Sequence, residues 1–284
     1  MKKCLIAVML SILLLVPGLC WAQKGGFVFM ASTIGPIDSG IVAALEDQFE
    51  KETGIRVRHV GAGTGAALKI GEKGNVDLVM AHAWALEEKF IADGYGTERI
   101  PLMYNDFVIL GPAADPAGIK GMKTGGEALK TIAAKKALFI TRGDKSGTHV
   151  AEMDIWAKAA IKPAGPWYVT YEKGSLGNAP TTRFADEKGA YVFMDRATYL
   201  SLKKEIKLVI LVEKDEALLN YISLIPVNPK KFPRVNHADA TALVKWLTDP
   251  AKGQKIIADF GKDKYGAPLF FANSKEWQVI QKKK

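Results

Sequence analysis

Beyond residue 22 this chain has no cysteine: its two, Cys4 and Cys20, both lie in the opening segment. The rest of the chain therefore has neither a disulfide framework nor a thiolate metal site. Histidine is scarce too, with four in 284 residues. His149 and Glu152, three apart, could share a helix face, but two ligands are too few and no third is evident, so no metal and no cofactor is expected. After the opening segment no stretch approaches the ~20 apolar residues of a membrane helix. The bases are dispersed and form no stripe with aromatics, apart from the terminal Lys282-Lys283-Lys284. That argues against nucleic acid as a partner and leaves the lysine tail as a solvated terminus.

The start of the chain reads as an address. Met1-Lys2-Lys3 is followed by an apolar run from Cys4 to Val16, a break at Pro17-Gly18, and the small residue Ala22. This is the pattern of a secretory signal peptide over residues 1–22, with an apolar core too short for a stable span. Export to the periplasm is expected, with a mature chain of 262 residues beginning at Gln23. Acylation at Cys20 is the alternative, and Leu19 before it fits that signal poorly. The whole chain carries 39 Lys and Arg against 30 Asp and Glu, a net of +9. Losing Lys2 and Lys3 leaves +7, a balance suited to an anionic partner.

One stretch concentrates anion-binding chemistry: Thr141-Arg142-Gly143-Asp144-Lys145-Ser146-Gly147-Thr148-His149. It follows the apolar run Ala137–Ile140 and precedes the helix-like Val150–Trp156. Strand, polar turn and helix in that order aim backbone N–H groups, two hydroxyls and a guanidinium at one spot. Two other turns share the character: Ser32-Thr33-Ile34-Gly35-Pro36 after the strand Phe27–Met30, and Gly61-Ala62-Gly63-Thr64-Gly65 after the strand Ile55–Val60. Ser32, Thr33, Thr64, Arg142, Ser146 and Thr148 are the candidate ligand-binding residues.

Each has a plain reading beside the functional one. The hydroxyls could simply cap the helices that follow, with Asp144 or Glu152 satisfying nearby donors around Ser146 and Thr148. Arg142 could be a surface ion pair with Asp144. Asp195-Arg196 reads as an internal ion pair holding a turn, and Arg183 as an exposed helix residue. His82 either lines a cleft or caps a turn; Trp84 either walls the cleft or packs.

Along the chain strands and helices alternate. Helices are expected near 41–49, 66–72, 126–134, 148–160, 181–188, 238–247 and 250–260; strands are expected near 76–80, 107–110, 168–171, 189–194, 207–211 and 221–227. This rhythm argues for a layered α/β architecture with parallel strands. The mature length suits two lobes. The expected division is 23–105 plus 224–284 for one lobe and 106–223 for the other, with crossovers near 104–110 and 221–227 and the ligand in the cleft between.

Many ordered segments together resemble the TupA-type family of tungstate-binding proteins from ABC uptake systems. They include Asp38-Ser39-Gly40, Phe49–Ile55, Gly63-Thr64-Gly65, His82-Ala83, Met103–Ile109, Asp115–Gly118, Arg142-Gly143-Asp144, Ser146–His149, Ala190-Tyr191 and Asp195–Tyr199. The resemblance implies a type II periplasmic binding fold, two lobes with mixed sheets closing on a tetrahedral oxyanion, and Arg142 as a ligand contact. It also implies a membrane permease as partner, and a monomer is expected. Two stretches depart from the family's pattern: Ser32-Thr33-Ile34-Gly35 where it has Thr-Thr-Thr-Ser, and Gly63-Thr64-Gly65-Ala66 where it has Gly-Thr-Gly-Gln. Molybdate or another oxyanion is therefore the alternative to tungstate. An enzyme is disfavoured, since no nucleophile elbow surrounds Ser146; a sensor for the anion would share the fold and differ only in partner.

Overall fold

The computed structural model describes residues 26–283, so the expected signal segment 1–22 and Cys20 lie outside the described residues. The chain opens with β1 (Phe27–Thr33), α1 (Ile34–Asp38), α2 (Ile41–Thr53), β2 (Arg56–Ala62), α3 (Thr64–Gly71), β3 (Leu78–Ala81), α4 (Trp84–Ala92) and β4 (Ile100–Gly111). Next come α5 (Gly125–Lys135), β5 (Phe139–Thr141), α6 (Gly147–Lys158), β6 (Tyr168–Thr170), α7 (Asn178–Lys188), β7 (Tyr191–Asp195), α8 (Arg196–Leu202) and β8 (Val209–Val212). It closes with β9 (Leu219–Pro226), α9 (His237–Thr248), α10 (Gly253–Asp259), α11 (Lys262–Tyr265), β10 (Phe271–Ala272) and α12 (Lys275–Gln281).

The strands run β2-β1-β3-β9-β4-β7-β5-β6, with β8 and β10 also paired to β4. Two parallel triads stand at the ends, β2-β1-β3 and β7-β5-β6. The antiparallel strands β9 and β4 join them. The sheet is thus mixed: the parallel reading holds within each triad and fails at the junction. β4 is central to this. Its first half, Ile100–Asp106, pairs with β9, and its second half, Phe107–Leu110, pairs with β7. The two segments expected to be crossovers are therefore side by side, with Asn105 opposite Asn220.

Alternation along the strands fills both faces, as central strands of an α/β sheet require. Val28 and Met30 of β1 join a core with Phe49 of α2 and Leu243 and Trp246 of α9. Ala31 turns the other way, toward Leu68, Phe90 and Ile225. In the second half, Ile109, Phe139, Trp156 and Phe193 form one core and Val108, Ile140, Val192 and Tyr199 the opposite one. Helix spacing explains the elements: Ile41, Leu45 and Phe49 line one face of α2 and are at most 3% exposed. Besides the short α1, α11 and the terminal α12, two helices beside the strand ends were not expected from the sequence. α4 follows His82-Ala83 directly, and α8 begins at Arg196, where Asp195 Oδ1 accepts from the Thr198 N–H at 2.8 Å. The Asp195-Arg196 reading is corrected accordingly. Asp195 caps α8, whereas Arg196 donates to Asp106 at 2.8 Å and to Glu213 at 2.7 Å, so the two neighbours do not pair with each other. Arg183 is half-exposed on α7, paired with Glu205 at 2.7 Å.

Candidate functional site

Parallel strands end on a common edge, and that edge is where helix starts and turn residues collect. In the first triad, Ser32 lies beside Gly61 on one side and Met80 on the other, and Thr33 beside Ala62. Thr33, Thr64 and His82 therefore stand at the carboxyl ends of three adjacent strands. Ser32 and Thr33 belong to the strand itself rather than to a turn, and both are buried. Neither Thr33 nor Thr64 caps a helix through its side chain; Thr33 only occupies the cap position of α1, and Thr64 is the first residue of α3. Thr33 Oγ1 and Thr64 Oγ1 are buried with no hydrogen-bond partner among the described residues. Such an orphaned hydroxyl costs about 1–3 kcal/mol, so native proteins keep few of them without reason. Ser32 Oγ is little better placed, with Met80 Sδ at 3.5 Å and the Thr33 carbonyl at 3.3 Å.

The second triad presents a different kind of edge. Arg142 follows β5 and is tightly held: Nε donates to the Gly174 carbonyl at 3.3 Å, Nη1 to Asn178 Oδ1, and Nη2 to Asp144 Oδ2 at 2.5 Å. Asn178 Nδ2 in turn donates to Asp195 Oδ2 at 2.7 Å. The ion pair with Asp144 exists as the plain reading expected, yet it is not a surface pair: the two side chains are 11% and 13% exposed. Backbone shape makes the clamp possible. Gly143 takes φ 65° in the left-handed region, and a Cβ on Gly174 would stand 2.1 Å from the Arg142 carbonyl oxygen, so only glycine admits this approach. Lys145 adopts φ 61° without being glycine, a strained conformation of the kind that gathers at functional sites.

Ser146 does cap α6, though its oxygen lies 3.4 Å from the His149 N–H. Asp144 Oδ1 accepts from the Ser146 N–H at 3.1 Å. Burial alone would raise the Asp144 carboxyl; donors from Ser146 and the Arg142 charge outweigh it and hold it below the usual carboxylate range. Thr148, in the first turn of α6, is buried. His149 Nδ1 accepts from the Lys145 N–H at 2.9 Å, which fixes its neutral tautomer, and burial keeps its imidazole below the ordinary value. Glu152 serves no cap. It is 2% exposed and accepts from Tyr168 Oη at 2.7 Å, Thr141 Oγ1 at 2.8 Å and Trp156 Nε1 at 3.1 Å. Burial pushes its carboxyl up to about 7 despite those donors. Through Thr141 it anchors the strand end that delivers Arg142. His149 and Glu152 thus engage separate partners, and no cluster of three or more potential metal ligands occurs among the described residues.

The two edges meet at His82. A Cβ on Gly147, the first residue of α6, would lie 3.5 Å from His82 Cε1. Burial pushes this imidazole below its ordinary value, partly offset by the polar side chain of Asn220 and the charge of Glu87. Glu87 is fully buried; it accepts from the Ala83 N–H at 2.6 Å, from Arg99 Nε at 2.6 Å and from Ser223 Oγ, and so fixes the turn that carries His82. Trp84 is 64% exposed, with the Arg99 guanidinium 4.0 Å above its ring. Asn178, Gly174, Glu87 and Asn220 went unnoticed in the sequence, and Asp195 was read only as half of an ion pair with Arg196. Only the Asp195-x-x-Thr198 cap signature and the Glu87–Phe90–Ile91 spacing carried a local signal. An open groove of about 640 Å³ lies elsewhere, lined by Lys255, Asp259, Glu52 and Phe260 among others. Several of its polar groups pair with one another or with neighbours, Lys255 with Asp259 and Glu52 with Trp246, and none of the buried unpartnered polar atoms among the described residues lines it.

The chain matches the family model described as a PBP superfamily domain over residues 23–251. It is 43% identical over 254 residues to the tungstate-binding protein TupA of Peptoclostridium acidaminophilum, covering 89% of this chain and 87% of that protein. Its structure resembles the tungstate-binding protein TupA of Desulfovibrio alaskensis G20, with TM-score 0.80, 44% identity and coverage of 88% and 100% of the two chains. It also resembles the tungstate ABC transporter structure from Geobacter sulfurreducens, with TM-score 0.69, 46% identity and coverage of 82% and 98%. The mixed sheet with its two parallel triads is the type II periplasmic binding fold, and the chain belongs to the TupA family within the PBP superfamily.

Proposed function

We propose that this protein is the solute-binding component of an ABC uptake system, which captures tungstate and hands it to a membrane permease without chemical turnover. The observation that carries the reading is the pair of buried, unpartnered hydroxyls, Thr33 Oγ1 and Thr64 Oγ1, at the carboxyl edge of one triad. Across His82 from them lies the N-terminal end of a 12-residue helix, whose free N–H groups and dipole favour an anion. A dianion entering a cleft loses its hydration and needs replacement donors. Ser32, Thr33, Thr64, Ser146 and Thr148 supply neutral ones, and Arg142 adds charge that persists at any physiological pH. The relatives named for tungstate support the choice among tetrahedral oxyanions.

In this reading residues 23–105 with 224–284 form one lobe and 106–223 the other. β4 and β9 cross between them as the hinge, and the lobes close on the ligand. The site works in the periplasm, after export directed by residues 1–22, and the protein acts as a monomer.

Thermal unfolding with tungstate, molybdate, sulfate and phosphate tests the proposal. At about 100 times its Kd a ligand adds about 2.7 kcal/mol, a shift of several degrees for a chain this long. Tungstate is expected to give the largest shift. A larger shift with molybdate would reassign the ligand, and no shift with any of the four would end the oxyanion reading.

A further inference from the structure

The Arg142 clamp contains an amide whose direction matters. Asn178, the first residue of α7, stands between a base and an acid: its Oδ1 accepts from Arg142 Nη1, and its Nδ2 donates to Asp195 Oδ2 at 2.7 Å. A guanidinium has only donors and a carboxylate only acceptors, so the amide can face them only one way round. It does not serve as the cap of α7, whose cap position is Gly177. Asp195 is itself pinned. Its Oδ1 accepts from the Thr198 N–H at 2.8 Å and its Oδ2 from the Thr198 hydroxyl at 2.6 Å. It ends β7 opposite Phe107 of β4, and the next residue, Arg196, grips Asp106, the last β4 residue paired with β9. The chain of contacts Asp195–Asn178–Arg142 thus runs from the point where β4 changes partners to the edge of the proposed site.

What this does for Arg142 follows from its donors. A guanidinium with its Nε carries five N–H groups. Gly174, Asn178 and Asp144 take one each, from Nε, Nη1 and Nη2. One N–H is left on each terminal nitrogen, a pair suited to two oxygens of one anion. We propose that Asn178 is a positioning residue for anion binding: its amide, oriented by Asp195, fixes the guanidinium so that those two N–H groups face the ligand. This deepens the reading of the site given above and rests on it. Both ends of the amide are engaged within the protein, so Asn178 acts through Arg142 rather than on the anion. A reversed amide would set its NH2 against Arg142 Nη1, donor against donor, and turn the guanidinium away.

Two substitutions that barely change side-chain size break this relay from either end. Asn178→Asp keeps an acceptor for Arg142 but sets a carboxylate against Asp195. Asp195→Asn keeps an oxygen for the Thr198 N–H but presents an NH2 to Asn178 Nδ2. Charge alone predicts opposite signs: an acid added near the site weakens the binding of a dianion, and an acid removed strengthens it. The relay predicts that both weaken it.

Calorimetric titration of the mature chain with sodium tungstate is expected to show about a tenfold loss of affinity for each single variant. Combining Asn178→Asp with Asp195→Asn restores the donor-to-acceptor order along the chain at the wild-type net charge. Affinity should then return to within about threefold of wild type, a coupling that a merely structural role for either residue would not produce. Unchanged or tighter binding in Asp195→Asn, or a double variant whose loss is the product of the two single losses, overturns the proposal. Wild-type protein that binds no tungstate would instead sink the parent reading, so the two failures look different. Should the variants fold poorly in thermal unfolding without ligand, NMR of the Arg142 guanidinium in the wild type decides. Separate, slowly exchanging Nη1 and Nη2 signals are expected in the ligand-free protein, and one averaged signal from a freely turning group refutes the idea.

Discussion

The two strand edges that face the proposed site solve opposite halves of one problem. Around Arg142 nearly every polar group is already bonded: the guanidinium to Gly174, Asn178 and Asp144, Asn178 to Asp195, and Asp195 to Thr198. Around Thr33 and Thr64 the hydroxyls are buried and unpaired. A satisfied network holds a charge in place, so little ordering remains to be done when a ligand arrives. An unsatisfied pair of hydroxyls does the reverse, keeping the free protein slightly less stable and giving the ligand something to relieve. Positioning and driving force are thus divided between the two halves.

The contrast breaks most visibly at Arg142. Arg142→Ala is expected to lower tungstate affinity about hundredfold, since it removes the one permanent charge and leaves Asp144 Oδ2 and Asn178 Oδ1 without their donor. Unchanged affinity in calorimetry would remove Arg142 from the site and leave its network a purely structural clamp. Thr33→Val sharpens the other side. It should weaken binding about tenfold while leaving the ligand-free protein as stable or up to about 1 kcal/mol more stable, because a methyl replaces an orphaned hydroxyl. A clear loss of stability in denaturant titration would mean that this hydroxyl has a partner in the free protein.

The smallest effect on binding lies beneath the Arg142 clamp, at Glu152, where the readout is stability against pH. Its carboxyl is pushed up to about 7 in the fold from an ordinary value of 4.5. The folded state therefore favours the protonated form, so this contribution is full below about 4.5 and lost as pH rises toward about 7. Relative to wild type, Glu152→Gln should gain roughly 2–3 kcal/mol between about pH 5 and about pH 8, read by calorimetric unfolding. A stability gap that does not change with pH would mean Glu152 is already ionised without penalty.

Much of the layered fold was legible because apolar periodicity is local. Phe27–Met30 and Ile41 to Phe49 fall in β1 and α2, and the run Ala137–Ile140 ends in β5 with Phe139 and Ile140. α4 and α8 were missed because each starts right after a turn residue already assigned another role, His82-Ala83 in one case and Asp195-Arg196 in the other. The helix signals of Glu87 and Asp195 lie in caps and buried pairs rather than in an apolar stripe. The strand direction at the junction was misread for a related reason. β4 and β9 are over a hundred residues apart in sequence, and nothing local specifies that Asn105 will face Asn220. Of the candidate site, the residue types and their turns were visible; the division into bonded and unbonded halves was not.

Composition and spacing alone determined that the chain beyond residue 22 carries no disulfide, that strands and helices alternate, and which hydroxyls and which arginine stand near helix starts, because these depend on residue identity and short-range order. Only the tertiary structure decided that Arg142 is clamped by groups more than 30 residues away, that Thr33 and Thr64 are left without partners, and that His82 meets the start of α6. Whether a polar atom is satisfied depends on every neighbour within about 3 Å, and in a folded chain those neighbours come from segments distant in sequence.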